Sequence, residues 1–163
     1  MIDYIKIKDY SWLMDEAYSL AIDAQSKGEV PVGAVIVNEQ GSVISKAYNL
    51  KEENHNPCHH AEILAIGAAA KKQKNWRLTN HELVVTLEPC PMCFNAALQA
   101  RIKRIVFAAY DYKGGAISLG YNFHLDERLN HKIEVIGGMD HFKNSKLLSD
   151  FFRARRSQYK EIN

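Results

Sequence analysis

Two short motifs limit what this chain can fold into. His60-Ala61-Glu62 and Pro89-Cys90-Pro91-Met92-Cys93 lie about thirty residues apart. Cysteines at i and i+3 in the first turn of a helix point the same way and can share one ion, and thiolate charge is favoured at a helix N-terminus. Pro91 suits that first turn. His60 opens a second predicted helix and can add an imidazole. Two thiolates and one imidazole make three protein ligands, the number expected when zinc keeps its fourth position for water. A fold that satisfies both motifs must bring two helix starts to one point.

Zinc lowers the pKa of a bound water towards neutrality. Glu62, two residues beyond the imidazole, can then take a proton from that water, pass it to a ring nitrogen and later to leaving ammonia. H-x-E with P-C-x-x-C is the known signature of zinc deaminases acting at cytosine C4 or adenine C6. Other readings of the same residues remain open at this level. The C-x-x-C pair can be a redox dithiol, although Glu88-Pro89, Pro91-Met92 and the lack of a redox-type aromatic neighbourhood speak against it. Cys58, two residues before His60, can be the fourth ligand of a structural zinc, which would leave Glu62 without a use. His60 taken alone can be a core histidine. His59 lacks the one-residue gap to Glu62 and is expected to line the pocket or face solvent. Two thiolates and an imidazole favour zinc, and iron or cobalt can use the same ligands.

The rest of the chain supplies the frame. Its 163 residues suit one domain, 1–163, with a sizeable core. No apolar run reaches the roughly 20 residues needed to span a bilayer. Met1 to Asp9 mixes acids and lysines without the apolar stretch of a secretory signal, so a cytoplasmic location is expected. Three cysteines do not form a disulfide framework. Apolar residues at Tyr10, Leu13, Met14, Ala17, Leu20, Ala21 and Ala24 have helical spacing, with Gly28 as a stop. Pro31–Val37 and Val43–Tyr48 read as a hairpin around Asn38-Glu39-Gln40-Gly41. Helices are expected over Glu62–Lys72, Pro91–Ala100 and Lys146–Tyr159, and strands over Leu83–Leu87, Arg104–Tyr110 and Lys132–Ile136. This order predicts a three-layer α/β/α fold. Its five-stranded mixed sheet begins with an antiparallel hairpin, continues with parallel strands and carries helices on both faces. Ligands then belong beyond the carboxyl ends of the parallel strands.

Several segments resemble the bacterial tRNA adenosine deaminases of the cytidine and deoxycytidylate deaminase superfamily. They are Glu29-Val30-Pro31-Val32-Gly33-Ala34-Val35, His60-Ala61-Glu62-Ile63, Val85 to Cys93, and Leu147-Leu148-Ser149-Asp150-Phe151-Phe152-Arg153-Ala154-Arg155-Arg156. The resemblance runs in register from about Trp12 to about Lys160. It implies the cytidine deaminase-like fold, one zinc per subunit on His60, Cys90 and Cys93, and a homodimer with active sites near the subunit interface. The implied reaction is conversion of adenosine to inosine at the wobble position (34) of a tRNA anticodon stem-loop, with Glu62 as the catalytic proton carrier. Asn49 would hydrogen-bond the flipped-out nucleotide, or be only a turn residue closing the hairpin. Pro31 and Val32 would flank the base, and Ala61, Asp111 and Lys113 would contact the substrate. Three places depart from the family pattern. Asn56-Pro57-Cys58-His59 replaces the usual Asp-Pro-Thr-Ala, Tyr110 stands where arginine is common, and Ile117 to Asn130 shares little of the usual sequence.

The tail can also be read physically. From Lys143 onward there are six basic residues and two acids, so this segment is +4 and the remainder −2 within a net charge of +2. Leu148, Phe151, Phe152, Arg155 and Tyr159 form one stripe of a C-terminal basic helix (about 145–160), and Arg153, Arg156 and Lys160 another. An apolar stripe packed on the domain with a basic stripe outward suits phosphate contact, and Phe152 can stack on an anticodon-loop base. The plainer reading is a solvated helix with both phenylalanines in the core. Under that reading the chain is a small-molecule deaminase of guanine or a cytosine compound. A third reading is a non-enzymatic, zinc-stabilised RNA-binding module.

Overall fold

The computed structural model describes residues 10–162, with side chains through Tyr159. The opening segment read as lacking a secretory signal, and the side chain of Lys160 in the basic stripe, therefore lie outside the described residues. The elements are α1 (Ser11–Ser26), β1 (Gly33–Val37), β2 (Val43–Tyr48), α2 (Ala61–Gln73), β3 (Glu82–Leu87), α3 (Pro91–Gln99), β4 (Arg104–Ala109), a 3₁₀ turn (Phe123–Leu125), β5 (Glu134–Gly137) and α4 (His141–Ile162).

The strands form one sheet in the order β2-β1-β3-β4-β5. β1 runs antiparallel to β2 and β3, while β3, β4 and β5 are mutually parallel. Side chains alternate across the sheet, as the two-residue strand period requires. Ala34, Ile36, Leu83, Val85, Ile105 and Phe107 pack towards Ala61, Ala65, Phe94 and Ala97 of α2 and α3. Val35, Val37, Val84, Val106 and Ala108 pack towards Leu13, Met14 and Ala17 of α1. α4 lies on the α1 side, where Lys143 pairs with Asp15 at 2.7 Å and sits over the Tyr18 ring. β1 is covered on both faces, which explains its unbroken apolar run.

Gly33 lets α1 approach this closely, because a Cβ there would lie 2.0 Å from the Ala17 carbonyl oxygen. Its N–H donates to Thr86 Oγ1 at 3.1 Å, fixing the start of β1 against β3.

Several boundaries differ from the sequence reading. β1 begins at Gly33, and Pro31 and Val32 form a buried approach to it. β5 is shifted towards Gly137, where the Phe107 ring leaves no room for a Cβ. α4 starts at His141, five residues early, because Asp140 adopts a left-handed conformation (φ 55°) and its carbonyl accepts both Asn144 N and Asn144 Nδ2. The expected apolar stripe of α4 packs only in part. Phe151 is buried and Leu148 half-buried, whereas Phe152, Arg155 and Tyr159 are exposed because the helix outruns the sheet beneath it. No helix of the described residues is long and apolar enough to cross a membrane.

Gly33→Ala is expected to destabilise the protein by about 3 kcal/mol, because the added methyl must push α1 off the sheet. Denaturant unfolding measures this, and an unchanged midpoint would contradict the packing described.

Candidate metal centre

The strand directions decide which chain segments meet. β3 and β4 are parallel, so their carboxyl ends, Leu87 and Ala109, pair at the same edge. β1 is antiparallel to β3, so its start lies there too, and Gly33 pairs with Tyr48 at the end of β2. Four segments therefore leave the sheet at one edge. They carry Val32, Asn49, Glu88–Cys90 and Asp111.

Both metal motifs begin helices at this edge. His60 is the N-cap residue of α2 and Cys90 that of α3, both in extended backbone conformation, with Pro91 in the first turn of α3. His60 Nδ1 lies 3.7 Å from Cys90 Sγ and 3.5 Å from Cys93 Sγ. Among the described residues, these three donor atoms form the one group able to hold a metal ion, all within 4.8 Å of one another. Tetrahedral zinc, with bonds of about 2.3 Å to sulfur and about 2.0 Å to nitrogen, sets those atoms about 3.6 Å apart. The donor set and its spacing therefore fit zinc. Cys58 is exposed and outside the group, so a fourth sulfur ligand is not part of the arrangement.

Charge among these side chains follows from their hydrogen bonds. The Cys93 side chain, opposed by burial and aided by His60, holds the Cys90 thiol down to about 4. Cys93, bonded to that sulfur and buried, is pushed up and keeps its proton. The hydrogen bond to Cys90 also raises His60. Glu62 is buried, 28 residues from Cys90 in sequence but beside it in space, and loss of solvent raises its carboxyl to about 7. A carboxyl poised near neutrality is suited to accepting and returning a proton.

A cleft of about 150 Å³ opens onto the triad. Val32, Asn49, Glu62, Leu87 and Asp111 line it together with His60 and Cys90. Asn49 Nδ2 donates to Val30 O at 3.0 Å, and its Oδ1 accepts from Ala61 N at 2.9 Å. Asn49 is thus both a wall of the cleft and a brace for the start of α2. Ala61 is fully buried and meets the cleft through that backbone bond. Pro31 is buried and does not line the cleft. Lys113 is exposed and away from it, because Asp111 Oδ1 accepts from the Lys113 and Gly114 amides in a turn that carries the lysine outward. His59 bonds through Nδ1 to Asn54 Nδ2 at 2.9 Å rather than joining the triad.

The cleft continues into a groove that shares Val30, Leu87 and Asp111 with it and is walled further out by Tyr110, Leu148 and Phe152. Beyond Phe152, a shallow apolar depression is bordered by Arg155, Arg156 and Tyr159. Arg153 points elsewhere and pairs with Asp150 at 3.4 Å.

Two buried carboxylates were missed as site-building residues. Glu29 accepts the amides of Lys51, Glu52 and Glu53 at 2.8–3.1 Å, which ties down the loop leading to His60. Glu88 accepts the amides of Asp111 and Ser118 at 3.0 and 2.8 Å on the opposite wall. Gly115 is required beside it, since a Cβ would lie 2.3 Å from the Glu88 carboxyl carbon. The signal lay in the sequence as acids flanked by apolar residues and proline, where charge is unexpected unless bonded.

Cys90→Ser is expected to lower zinc content and the melting temperature, whereas Cys58→Ser leaves both unchanged; elemental analysis and thermal unfolding check this. Because zinc competes with protons for Cys93 and for His60, whose proton affinity is raised, affinity is expected to rise with pH. Chelator competition should show roughly tenfold or more weakening per unit as pH falls from 8 to 6.

The family model for the cytidine and deoxycytidylate deaminase zinc-binding region matches residues 7–109. The tRNA-specific adenosine deaminase of Haemophilus influenzae is 45% identical over 91% of this chain and 86% of its own length. That of Bacillus subtilis is 44% identical over 90% and 91%. A solved structure from a study of A-to-I editing by tRNA:A34 deaminases at the wobble position superimposes with a TM-score of 0.79, at 37% identity, over 83% of this chain and 97% of that one. With its triad, its buried glutamate and this likeness over nearly its whole length, the chain belongs to the cytidine and deoxycytidylate deaminase family, among the tRNA-specific adenosine deaminases.

Proposed function

We propose that this chain converts adenosine to inosine at the wobble position of a tRNA anticodon by zinc-dependent hydrolysis. The observation that carries the reading is a buried Glu62 beside the His60–Cys90–Cys93 triad, in a cleft that opens towards the exposed, basic end of α4. His60, Cys90 and Cys93 would hold the zinc, which would supply an activated water for attack at adenine C6. Glu62 takes up the proton released from that water. It returns that proton to ring nitrogen N1 and then carries the water's other proton, from the new C6 hydroxyl, to the departing amine, so ammonia leaves and the C6 oxygen of inosine remains. The apolar walls Val32 and Leu87 hold the flipped base and exclude bulk water. Asn49 keeps its Oδ1 on α2 and offers its second amide hydrogen to the nucleotide. Pro31 acts from behind Val32 by fixing the backbone.

The outer contacts follow the groove. Phe152 is placed to stack on an unpaired anticodon-loop base, and Arg156 to meet a phosphate. Arg153 and Lys113 act as peripheral cations, and Asp111 shapes the rim through its turn. A homodimer is supported by the exposed apolar side chains Met92, Leu119, Tyr121 and Leu125 on the α3 side, where Phe94 packs on Phe123. We place this single-domain enzyme, spanning 1–163, in the cytoplasm, where tRNA is its substrate.

The test is incubation with an anticodon hairpin bearing adenosine at the wobble site, followed by nucleoside analysis. Inosine is expected, with little turnover of free adenosine. Ammonia from free guanine or cytosine with none from the hairpin would replace this reading by a small-molecule deaminase. Glu62→Gln should retain zinc while inosine formation falls by about 10²- to 10⁴-fold. Arg156→Ala should raise KM and flatten its salt dependence with kcat nearly unchanged.

A further inference from the structure

Four aromatic rings crowd the rim of the groove beside Asp111. Tyr110 stands edge-on to the core residue Phe107, with centroids 5.0 Å apart, so its ring is anchored from below. Tyr112 lies nearly parallel to Tyr110, at 17° and 6.3 Å. On the other side His141 sits 5.8 Å from Tyr110, and Phe142 packs edge-on to His141 at 5.4 Å. His141 Nδ1 accepts the Tyr110 amide at 3.3 Å, which links the start of α4 to the end of β4. Despite this order the rings face water: Tyr112 is 75% exposed and Phe142 87%. Contiguous exposed aromatics of this kind mark a binding surface.

Position decides the occupant. Tyr110 lines the groove that shares Val30, Leu87 and Asp111 with the metal cleft. Tyr110 and Tyr112 flank Asp111 in the chain, so the rings begin where the cleft ends. A nucleotide seated in the cleft has its neighbour one phosphodiester away, and a splayed single strand is held by stacking its bases on aromatic faces.

We propose that Tyr110 and Tyr112 form a stacking platform for an unpaired RNA base adjacent to the target adenosine, a subsite that rests on the tRNA-deaminase reading above. His141 and Phe142 brace and border it. The platform selects for an RNA substrate whose flanking base is unstacked and available. Tyr110, braced by Phe107, supplies the fixed ring, and Tyr112 supplies the exposed one.

The experiment uses the zinc-loaded full chain and three anticodon hairpins: one intact, one abasic on the 5′ side of the wobble adenosine and one abasic on the 3′ side. On the intact hairpin, Tyr112→Ala is expected to raise KM about tenfold with kcat changed less than about twofold, while Tyr112→Phe matches wild type. On one of the two abasic hairpins, the difference between wild type and Tyr112→Ala should vanish, because the partner of the ring is gone. An unaltered KM for Tyr112→Ala, or an equal penalty on all three hairpins, overturns the platform while wild-type inosine formation leaves the deaminase reading standing. A change in oligomeric mass of Tyr112→Ala by light scattering also overturns it, making this face a contact between copies of the chain. Absence of inosine with the wild type overturns both.

Discussion

Everything at the site depends on one topological constraint, the insertion of β1 antiparallel beside a parallel β3–β4 pair. In a wholly parallel sheet the start of β1 would lie at the opposite edge from Leu87 and Ala109. Here Val32, Asn49, Cys90 and Asp111 all emerge together. α2 and α3 then start at the same place, and both N-termini present positive dipole ends towards the ligands. Gly33 and the buried Thr86 hydroxyl hold this edge by allowing α1 and β3 to close on β1 without a side chain between them.

Charge buried at the same edge makes the loops rigid. An ionised carboxylate removed from water is costly unless several donors satisfy it. Glu29 and Glu88 meet that condition by collecting amides from loops on opposite walls of the cleft. Each loop is therefore tied to a buried point in addition to its own short-range turns. The consequence for chemistry is a cleft whose walls are set before substrate arrives, which is what a reaction limited by orientation and proton position needs. Glu62 differs in that burial outweighs the help its carboxyl receives from its own backbone amide and from the Cys93 side chain. Burial leaves its proton affinity high, which suits the proton-carrying role proposed for it.

The outer surface has the opposite character. α4 packs through Phe151 and then leaves the domain, exposing Phe152, Arg155, Arg156 and Tyr159 to solvent. Aromatic and cationic groups alternate there at the mouth of a groove that leads inward to the metal ligands. Such a surface has little reason to exist for a free base that fits wholly inside the cleft. It matches a polymer whose backbone and neighbouring bases must remain outside while one nucleotide enters.

The chemistry was legible in the residues themselves, because three metal donors and a carboxylate at short, stereotyped spacings have few alternative uses. The layer order was equally legible, since apolar period and turn residues are local properties: α1, the β1–β2 hairpin and α3 fall within a few residues of their expected positions. Only the tertiary structure removed Cys58 from the ligand set, turned Lys113 outward, moved Pro31 behind the wall and separated buried Phe151 from exposed Phe152. It alone gave Glu29 and Glu88 their roles and assembled the rings around Tyr110. The physical reason is the same in each case. Spacing along the chain sets which side chains share a helix turn or a strand face, whereas burial, amide capture and ring packing are set by distant segments that meet only when the sheet has closed.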